Sequence, residues 1–338
     1  MTNPPSRHSN PINAPIVTVA NLKGGVGKST TALMLSEGLA YYFGLRVLVL
    51  DFDAQSNLSQ LLLSERGVNK AFEDERGICA SLDRFITQLK EPKSKGSKVS
   101  WTPDEFSNRI VANDANTIDE IVTAIRNNNP MGRVELIPAH FQLRFIEPQL
   151  ERTPGPEWAD LPKQLSAYIR ATIAPMRGHY DLVIIDCPPN VSALCRTALS
   201  IANYIVTPVV AEELSFWGFK QFHEWMKNDE TRSWLGDDFK DLGPRQFVVF
   251  TKFQKNNVSA AAKDKFQEQW GDRRFASPIR YRSDIEKELP RKGHDSVSTF
   301  RGKYKPQVRQ DILSLCSQFE QFMREKEKTE WKRVESRA

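Results

Sequence analysis

The chain has 338 residues, of which 40% are hydrophobic and 26% are charged, and its formal net charge is +5. These values are typical of a globular protein with one large core, and no apolar run reaches the roughly 20 residues that a membrane-spanning helix requires. The polar, proline-rich start of the chain has no apolar stretch, so we expect a flexible tail, no signal peptide and a cytoplasmic protein. The four cysteines form no C-x-x-C pair, which favours reduced, buried thiols over zinc binding or disulfides.

The first predicted element is a buried strand at residues 16–20, which leads into a glycine-rich loop from Lys23 to Lys28. Ser29 and Thr30 open a segment rich in Leu, Met and Ala, which predicts a helix. A strand, a glycine loop and a helix start make a phosphate cradle, because the glycines let backbone N–H groups turn toward one anion and the helix dipole favours negative charge there. In such a loop Lys28 reaches the β- and γ-phosphates, and Ser29 offers its hydroxyl to Mg²⁺.

The loop departs from the standard G-x-x-x-x-G-K-[ST] pattern, since Leu22 stands where the first glycine belongs and Lys23 adds a second lysine. This K-G-G-x-G-K-[ST] sequence resembles the deviant Walker A motif of the ParA/MinD group of ATPases. The resemblance implies that ATP and Mg²⁺ are the cofactors, and that Lys23 reaches across a homodimer to the partner's nucleotide. The implied nucleotide contacts are the loop, the helix start and two residues at the end of a later strand, which by resemblance approach the adenine: Lys23, Gly24, Gly25, Val26, Gly27, Lys28, Ser29, Thr30, Thr251 and Lys252.

Two further apolar runs end in acidic residues. Asp51 and Asp53 follow the first run, and Asp186 follows the second. Because ligands of open α/β sheets bind at the carboxyl ends of the strands, we expect these carboxylates beside the phosphate loop. By resemblance they are the Walker A′ and Walker B motifs, in which Asp53 orients or activates the attacking water. Asp51 and Asp186, with Ser29, then support the Mg²⁺ site, and the implied catalytic residues are Lys23, Lys28 and Asp53.

Strands and helices alternate along the rest of the chain. We expect strands at 134–139, 204–210, 246–251 and 275–279, and helices at 80–89, 118–126, 161–176, 216–226 and 306–323. The alternation predicts the α/β class, with a single doubly wound, mostly parallel sheet flanked by helices, which is the P-loop NTPase fold of the deviant Walker A type. This domain spans residues 15–325, between a flexible tail at 1–14 and a charged tail at 326–338. Residues 65–116 are a family-specific insertion, a surface for a partner or a solvated loop.

The aromatic residues of the predicted helix at 216–226 have helical spacing, which is more typical of core packing than of a binding platform. They are Trp217, Phe219, Phe222 and Trp225.

Positive charge is concentrated between Arg273 and Arg309, a segment that contains eleven Lys and Arg residues but only four Asp and Glu residues. Charge alone favours a polyanion-binding surface and a solvated charged face equally. The resemblance favours nonspecific, salt-sensitive DNA binding by an ATP-bound dimer. The candidate DNA contacts are Arg280, Arg282, Arg291, Lys292, Arg301, Lys303 and Lys305.

The implied function is that of a ParA-like ATPase, which forms an ATP-dependent sandwich dimer on the nucleoid and segregates or positions a plasmid, a chromosome locus or a protein complex. A ParB-like or cargo adaptor protein would stimulate an otherwise slow hydrolysis, and no membrane is expected as a partner. A MinD-like membrane-associated ATPase is disfavoured because residues 325–338 contain only Trp331 and Val334 as large apolar side chains. A metabolic P-loop ATPase stays open, although no substrate signature supports it.

Overall fold

The computed structural model describes residues 14–90, 111–113, 132–152, 161–173, 180–228, 231, 245–254, 256–271, 274–280 and 300–327. The strands in these ranges are β1 Ile16–Val19, β2 Arg46–Asp51, β3 Val111–Asn113, β4 Arg133–Ile137, β5 Leu182–Asp186, β6 Tyr204–Val210, β7 Gln246–Thr251 and β8 Arg274–Phe275. The helices are α1 Lys28–Phe43, α2 Asn57–Glu73, α3 Ile78–Lys90, α4 Leu143–Arg152, α5 Leu161–Ile173, α6 Ala193–Ile201, α7 Glu213–Lys227, α8 Asn257–Gln269, α9 Phe300–Lys303 and α10 Pro306–Glu327.

The strands form one sheet in the order β3-β4-β2-β5-β1-β6-β7-β8. Neighbouring strands are parallel except at one edge, where β3 runs antiparallel to β4. The predicted fold class is therefore confirmed. Strand β1 lies between β5 and β6. The strands that follow β1 in the sequence, up to β5, lie on one side of it, and β6, β7 and β8 lie on the other. Ligands of such sheets bind at this point of reversal, beyond the carboxyl ends of the strands.

The sheet is buried on both faces because consecutive apolar residues of each central strand point to opposite sides. In β2, Leu48 and Leu50 belong to one apolar cluster, whereas Val47 and Val49 belong to the other. The first cluster receives α3, α4, α5 and α6, and the second receives α1 and α10. The carboxyl ends of β1, β2 and β5 are thereby held at fixed positions relative to one another.

The phosphate-loop helix α1 packs against the closing helix α10. A Cβ at Gly38 would lie 2.5 Å from Ile312 Cγ2 and 2.6 Å from Cys316 Sγ, so only glycine allows this approach. All four cysteines are buried and free, as the composition predicted. Helix α10 extends to Glu327, four residues beyond its predicted end, and so enters the predicted charged tail.

The region that we interpreted as an insertion or a solvated loop is in part core. Helix α3, predicted at 80–89, runs from Ile78 to Lys90, and its apolar face is buried, including Leu82 and Phe85. The predicted helix is therefore confirmed and the solvated-loop interpretation fails for it, whereas the insertion interpretation stays a prediction. Residues 91–110 and the predicted helix at 118–126 lie outside the described residues.

The remaining differences concern the aromatic helix and the edge strand. Helix α7 begins at Glu213, before the predicted start. Its Phe219 and Phe222 are buried as predicted, but Trp217 is 63% exposed, so the core interpretation fails for that residue. Strand β8 is shorter than predicted and pairs with β7 only at Arg274 and Phe275. None of the helices in the described ranges has both the length and the apolar character needed to cross a bilayer.

Candidate functional site

The phosphate loop adopts a backbone conformation that requires glycine at two positions. Gly25 and Gly27 have φ values of +72° and +85°, and Gly27 is the N-cap residue of α1. Side chains rarely tolerate this left-handed region. A Cβ at Gly24 or Gly25 would meet nothing within 4 Å, so the loop backbone faces open space. An anion can therefore approach the loop and the N-terminus of α1 directly.

Residues at the carboxyl ends of β1 and β7 form hydrogen bonds with the backbone of the loop. Thr251, at the end of β7, donates its hydroxyl to the Val26 carbonyl at 2.7 Å. Asn21 accepts a hydrogen bond from the Lys23 N–H at 3.0 Å and donates its amide to the Pro208 carbonyl at 2.8 Å. Thr251 is 5% exposed, and its hydroxyl is used by the loop. The geometry therefore gives Thr251 a supporting role in the loop, and the adenine contact predicted for it stays a prediction.

Lys28 is the cation at the bottom of the loop. It is 7% exposed, and its Nζ donates to the Lys23 carbonyl at 3.1 Å. Burial lowers the pKa of Lys28, whereas the carboxylates of Asp186 and Asp53 act in the opposite direction. A buried ammonium at this point is suited to hold a phosphate as a point charge.

Asp186 lies at the carboxyl end of β5 beside Asp51 at the end of β2, where the two residues are partners in the parallel register. Asp186 is fully buried, and neither of its carboxylate oxygens has a partner in good hydrogen-bond geometry among the described residues. Burial and the Asp51 carboxylate raise the pKa of Asp186 well above its usual range, against the nearby Ser29 hydroxyl, which lowers it. An orphaned buried carboxylate of this kind fits a divalent cation, which oxygen ligands would hold there.

Asp51 has a different environment from the one we expected for a metal ligand. Its Oδ1 accepts the Asp53 N–H at 3.0 Å, and its Oδ2 accepts the Ser59 N–H and hydroxyl at 2.9 and 2.7 Å. Burial raises the pKa of Asp51 to about 7 despite these hydrogen bonds. These hydrogen bonds position the turn that carries Asp53, and the support of the Mg²⁺ site by Asp51 stays a prediction.

Asp53 stands at the rim of a cavity of about 510 Å³ in front of the loop. Its Oδ1 accepts the Gln55 N–H at 2.9 Å, and burial raises its pKa, against the Gln55 hydrogen bond and the charge of Lys28. The cavity has the size of a small-molecule site. The described residues that line it are Gly24, Gly25, Gly27, Lys28, Ser29, Thr30, Asp53, Gln55, Asn57, Gln60, Leu61, Pro189 and Lys252.

Sequence reasoning missed several of these lining residues. Gln55, Asn57, Gln60 and Leu61 come from the turn and the first turns of α2 after the D-x-D pair, which the sequence indicated only as the carboxyl end of a strand. Lys252, which was predicted, lines the cavity with a φ of +50°.

Lys23 does not line the cavity in front of its own loop. Its Nζ donates to Glu212 Oε1 at 2.7 Å and to Ser215 Oγ at 2.8 Å, at the start of α7. The hydrogen bond from Lys23 lowers the pKa of Glu212. The ammonium is therefore directed away from Lys28 and toward α7.

The predicted DNA contacts fall into three groups. Arg280, Arg301 and Lys305 are exposed, although Arg301 Nε also donates to the Tyr41 hydroxyl at 2.6 Å. Lys303 is buried in an ion pair with Glu37 at 2.9 Å, so its ammonium cannot reach a phosphate backbone, and that prediction is wrong. The other three candidates lie outside the described residues: Arg282, Arg291 and Lys292.

Comparisons with known proteins identify the family and the fold of this chain. A family model described as an AAA domain, AAA_31, matches residues 14–234. The chain is 30% identical over 207 residues to the sporulation initiation inhibitor protein Soj of Bacillus subtilis, a match that covers 61% of this chain and 62% of Soj. It is 28% identical over 275 residues to the chromosome partitioning protein ParA of Caulobacter vibrioides, covering 80% of this chain and 81% of that protein. The chain thus spans less than two thirds of Soj but most of ParA.

A solved structure with the same fold is an ATP complex of McdA from Cyanothece, with a TM-score of 0.62 and 16% identity over 91% of this chain and 96% of that one. The fold is shared with cobyrinic acid a,c-diamide synthase of Mycobacterium smegmatis bound to an ATP analogue and magnesium, with a TM-score of 0.59 and 19% identity over 95% and 99% of the chains. At these identities the likeness shows the fold alone. The family match and the two-lysine loop carry the assignment, and the chain belongs to the AAA_31 family of AAA domains, within the ParA/MinD group that has the deviant Walker A motif.

Proposed function

We propose that this protein is a ParA-like ATPase that dimerises on ATP, binds DNA nonspecifically as a dimer and positions a cargo through partner-stimulated hydrolysis. The observation that carries the proposal is the grouping of buried Lys28, Ser29 and the orphaned carboxylate of Asp186 at an open glycine loop. A buried cation and an acidic metal site beside the backbone N–H groups of a glycine loop form the usual arrangement for binding a nucleoside triphosphate with its metal.

Each part of this site has one task in hydrolysis. The loop N–H groups and Lys28 bind the phosphates, and Ser29 with Asp186 holds Mg²⁺, directly or through water. Bound Mg²⁺ supplies charge neutralisation at the β- and γ-phosphate oxygens. Asp53, at the cavity rim, orients the water whose oxygen forms the new bond to the γ-phosphorus while the bond to the bridging β-γ oxygen breaks, which leaves ADP and phosphate.

The dimer is supported by the position of the exposed apolar residues. The large hydrophobic side chains exposed in the described residues all follow the carboxyl ends of β4, β6 and β7, on the same edge as the phosphate loop. They are Phe141, Phe145, Leu214, Trp217 and Val258, with exposed fractions of 47% to 75%. Apolar surface gathered at one edge favours burial against a partner, and we infer that this partner is a second copy of the chain. ATP shifts the equilibrium toward the dimer only because the dimer binds it more tightly.

DNA binding is supported by charge and by the names of the relatives. Arg280, Arg301 and Lys305 are exposed in the described residues, within the basic segment of the sequence. A dimer carries two copies of this segment, which doubles the number of phosphate contacts and steepens the dependence on salt. Because Caulobacter ParA is named as a chromosome partitioning protein, a nucleic-acid partner and a DNA cargo are the natural first tests.

The decisive experiment measures retention of nonspecific duplex DNA with ATP, with ADP and without nucleotide, for the wild type and for the Lys23→Ala, Lys28→Ala and Asp53→Ala variants. We expect the wild type to bind with ATP and poorly with ADP. Lys28→Ala should lose the nucleotide, Lys23→Ala should bind it without dimerising, and Asp53→Ala should keep the ATP-bound dimer on DNA. Equal DNA binding in all three nucleotide states would contradict the proposal that ATP switches DNA binding on.

A biosynthetic P-loop enzyme is the alternative from another class, since the fold is shared with a diamide synthase. The same preparation distinguishes the two functions. Phosphate release that depends on protein concentration and rises with DNA or an adaptor supports partition. Release that a single copy performs at full rate supports metabolism.

A further inference from the structure

The side chain of Lys23 is fixed along helix α7 by several contacts. Its Nζ binds Glu212 Oε1 at 2.7 Å and Ser215 Oγ at 2.8 Å, and the Ser215 hydroxyl also donates to Glu212 Oε1 at 3.1 Å. Its aliphatic stem lies over Gly218, where an added Cβ would be 3.6 Å from Lys23 Cβ and 3.7 Å from Cδ. The Lys23 ammonium, the Glu212 carboxylate and the Ser215 hydroxyl are therefore hydrogen-bonded to one another. These bonds hold the ammonium on its own protomer.

The Glu212 carboxylate accepts hydrogen bonds from Lys23 and Ser215, and the charge of Lys252 also acts on it. Glu212 is the N-cap residue of α7, but its side chain makes no capping hydrogen bond. Its side chain is 50% exposed and that of Lys23 is 29% exposed, so the ion pair is accessible to water. Ion pairs of this kind are weak enough to exchange for a stronger anion. A triphosphate, with several negative charges and multiple acceptor oxygens, is such an anion.

We propose that Glu212, assisted by Ser215, is a positioning residue that keeps Lys23 on its own protomer until the phosphates of a second copy compete for the ammonium. The inference rests on the proposed ATP-dependent dimer and adds an ion-pair exchange that its formation requires. Leu214 and Trp217, exposed by 75% and 63%, flank the same turn of α7. Docking of a second copy would therefore cover these apolar side chains at the place where Lys23 changes partner.

Holding Lys23 in this way has a consequence for the monomer. In a single copy the ammonium is bound at α7 and does not line the cavity, so it is not placed to contact that copy's own nucleotide. Dimerisation then requires Lys23 to exchange its ion pair with Glu212 for contacts with the phosphates of the second copy. Removal of the Glu212 charge lowers the free-energy cost of this exchange. The variant should consequently form the dimer more readily, although its monomer has one ion pair fewer.

The test compares Glu212→Gln with Glu213→Gln, an adjacent exposed residue of equal charge that makes no described contact with Lys23. The first measurement is the rate at which Lys23 is acylated by an N-hydroxysuccinimide ester in dilute, nucleotide-free protein, followed by peptide mass spectrometry. We expect Glu212→Gln to raise this rate at Lys23 about threefold or more, because the amine is released from its carboxylate. Glu213→Gln should match the wild type, and equal rates in all three proteins would overturn the proposal.

The second measurement is the dimer dissociation constant with magnesium and the non-hydrolysable analogue AMPPNP, by sedimentation over a range of protein concentrations. We expect the constant to fall roughly three- to tenfold for Glu212→Gln, less for Ser215→Ala, and not at all for Glu213→Gln. A wild type that stays monomeric at every concentration contradicts the proposed function itself. A wild type that dimerises while Glu212→Gln dimerises equally or less well contradicts only the role of Glu212.

Discussion

Lys303 Nζ lies 2.9 Å from Glu37 Oε1, in an ion pair whose two side chains are only 1% and 2% exposed. Lys303 also donates to the Leu61 carbonyl at 3.0 Å, and Tyr304 donates its hydroxyl to Glu37 Oε2 at 2.6 Å. Glu37 belongs to α1, and Leu61 lines the nucleotide cavity. The buried pair therefore joins the phosphate-loop helix, the cavity wall and the C-terminal part of the chain.

Removal of one partner of this pair should be strongly destabilising, because it leaves a buried charge without compensation. We expect Lys303→Met to lower the free energy of unfolding by about 3–5 kcal/mol. Urea denaturation measures this change. Lys305→Met, two residues away and exposed, is the matched control and should change the stability by less than about 0.5 kcal/mol. The double variant Lys303→Met with Glu37→Leu should recover much of the stability; a single variant as stable as the control would show that the pair is not formed.

The same pair shows what sequence reasoning could and could not predict. The phosphate loop was predictable because its strand, glycines and helix start are contiguous, and the same holds for Asp53 and Asp186 at strand ends. Lys303 was wrongly assigned to DNA because its partner is 266 residues away, and a count of local charge contains no information about that distance. Lys23 and Glu212, which are 189 residues apart, meet only through the order of β1 and β6 in the sheet.

A second prediction concerns pH in the metal-free protein without nucleotide. Folding raises the pKa of Asp51 to about 7 and that of Asp186 well above its usual range. The folded state then binds protons that the unfolded chain has released above about pH 4, so the free energy of unfolding falls as the pH rises through 7. The slope for one proton is at most about 1.4 kcal/mol per pH unit.

Urea midpoints, measured in the presence of a chelator at several values between about pH 5.5 and about pH 8.5, follow this dependence across the pKa of about 7 that Asp51 has in the folded protein. Asp186→Asn should flatten the profile and stabilise the metal-free protein at high pH, since the carboxylate oxygens of Asp186 have no hydrogen bond in good geometry to lose among the described residues. Asp264→Asn, at an exposed position, should leave the profile unchanged. A wild type whose stability increases toward the alkaline end of this range would contradict the account of the buried carboxylates.

Thr251 provides a third prediction, about loop rigidity. Its hydroxyl donates to the Val26 carbonyl at 2.7 Å, and a Cβ at Gly27 would lie 3.7 Å from its Cβ. Thr251→Val keeps the shape but leaves the carbonyl without its donor, so the loop loses about 1 kcal/mol of support. We expect nucleotide affinity, measured by titration calorimetry with AMPPNP and magnesium, to weaken about fivefold. Thr251→Ser should restore it, and an unchanged affinity in Thr251→Val would show that this hydrogen bond does not shape the site.

The last prediction separates DNA contact from mere positive charge. The triple variant Arg280→Ala, Arg301→Ala and Lys305→Ala removes the exposed candidates, whereas Lys303 is left intact because it is buried. Removing a side chain that binds a DNA phosphate should lower the slope of log affinity against log salt by about one. Titration of a labelled nonspecific duplex, with AMPPNP and magnesium at several salt concentrations, measures this slope.

A matched triple variant controls for net charge, with three exposed lysines replaced by alanine elsewhere in the described residues: Lys70, Lys163 and Lys265. The two variants carry the same formal charge, so nonspecific attraction at long range is altered equally. If the basic segment contacts DNA, only the first variant loses the steep salt dependence, and its AMPPNP-dependent dimer is retained. If both variants weaken binding to the same extent, the exposed arginines and the lysine belong to an ordinary solvated surface, and the DNA contacts must be sought in another part of the protein.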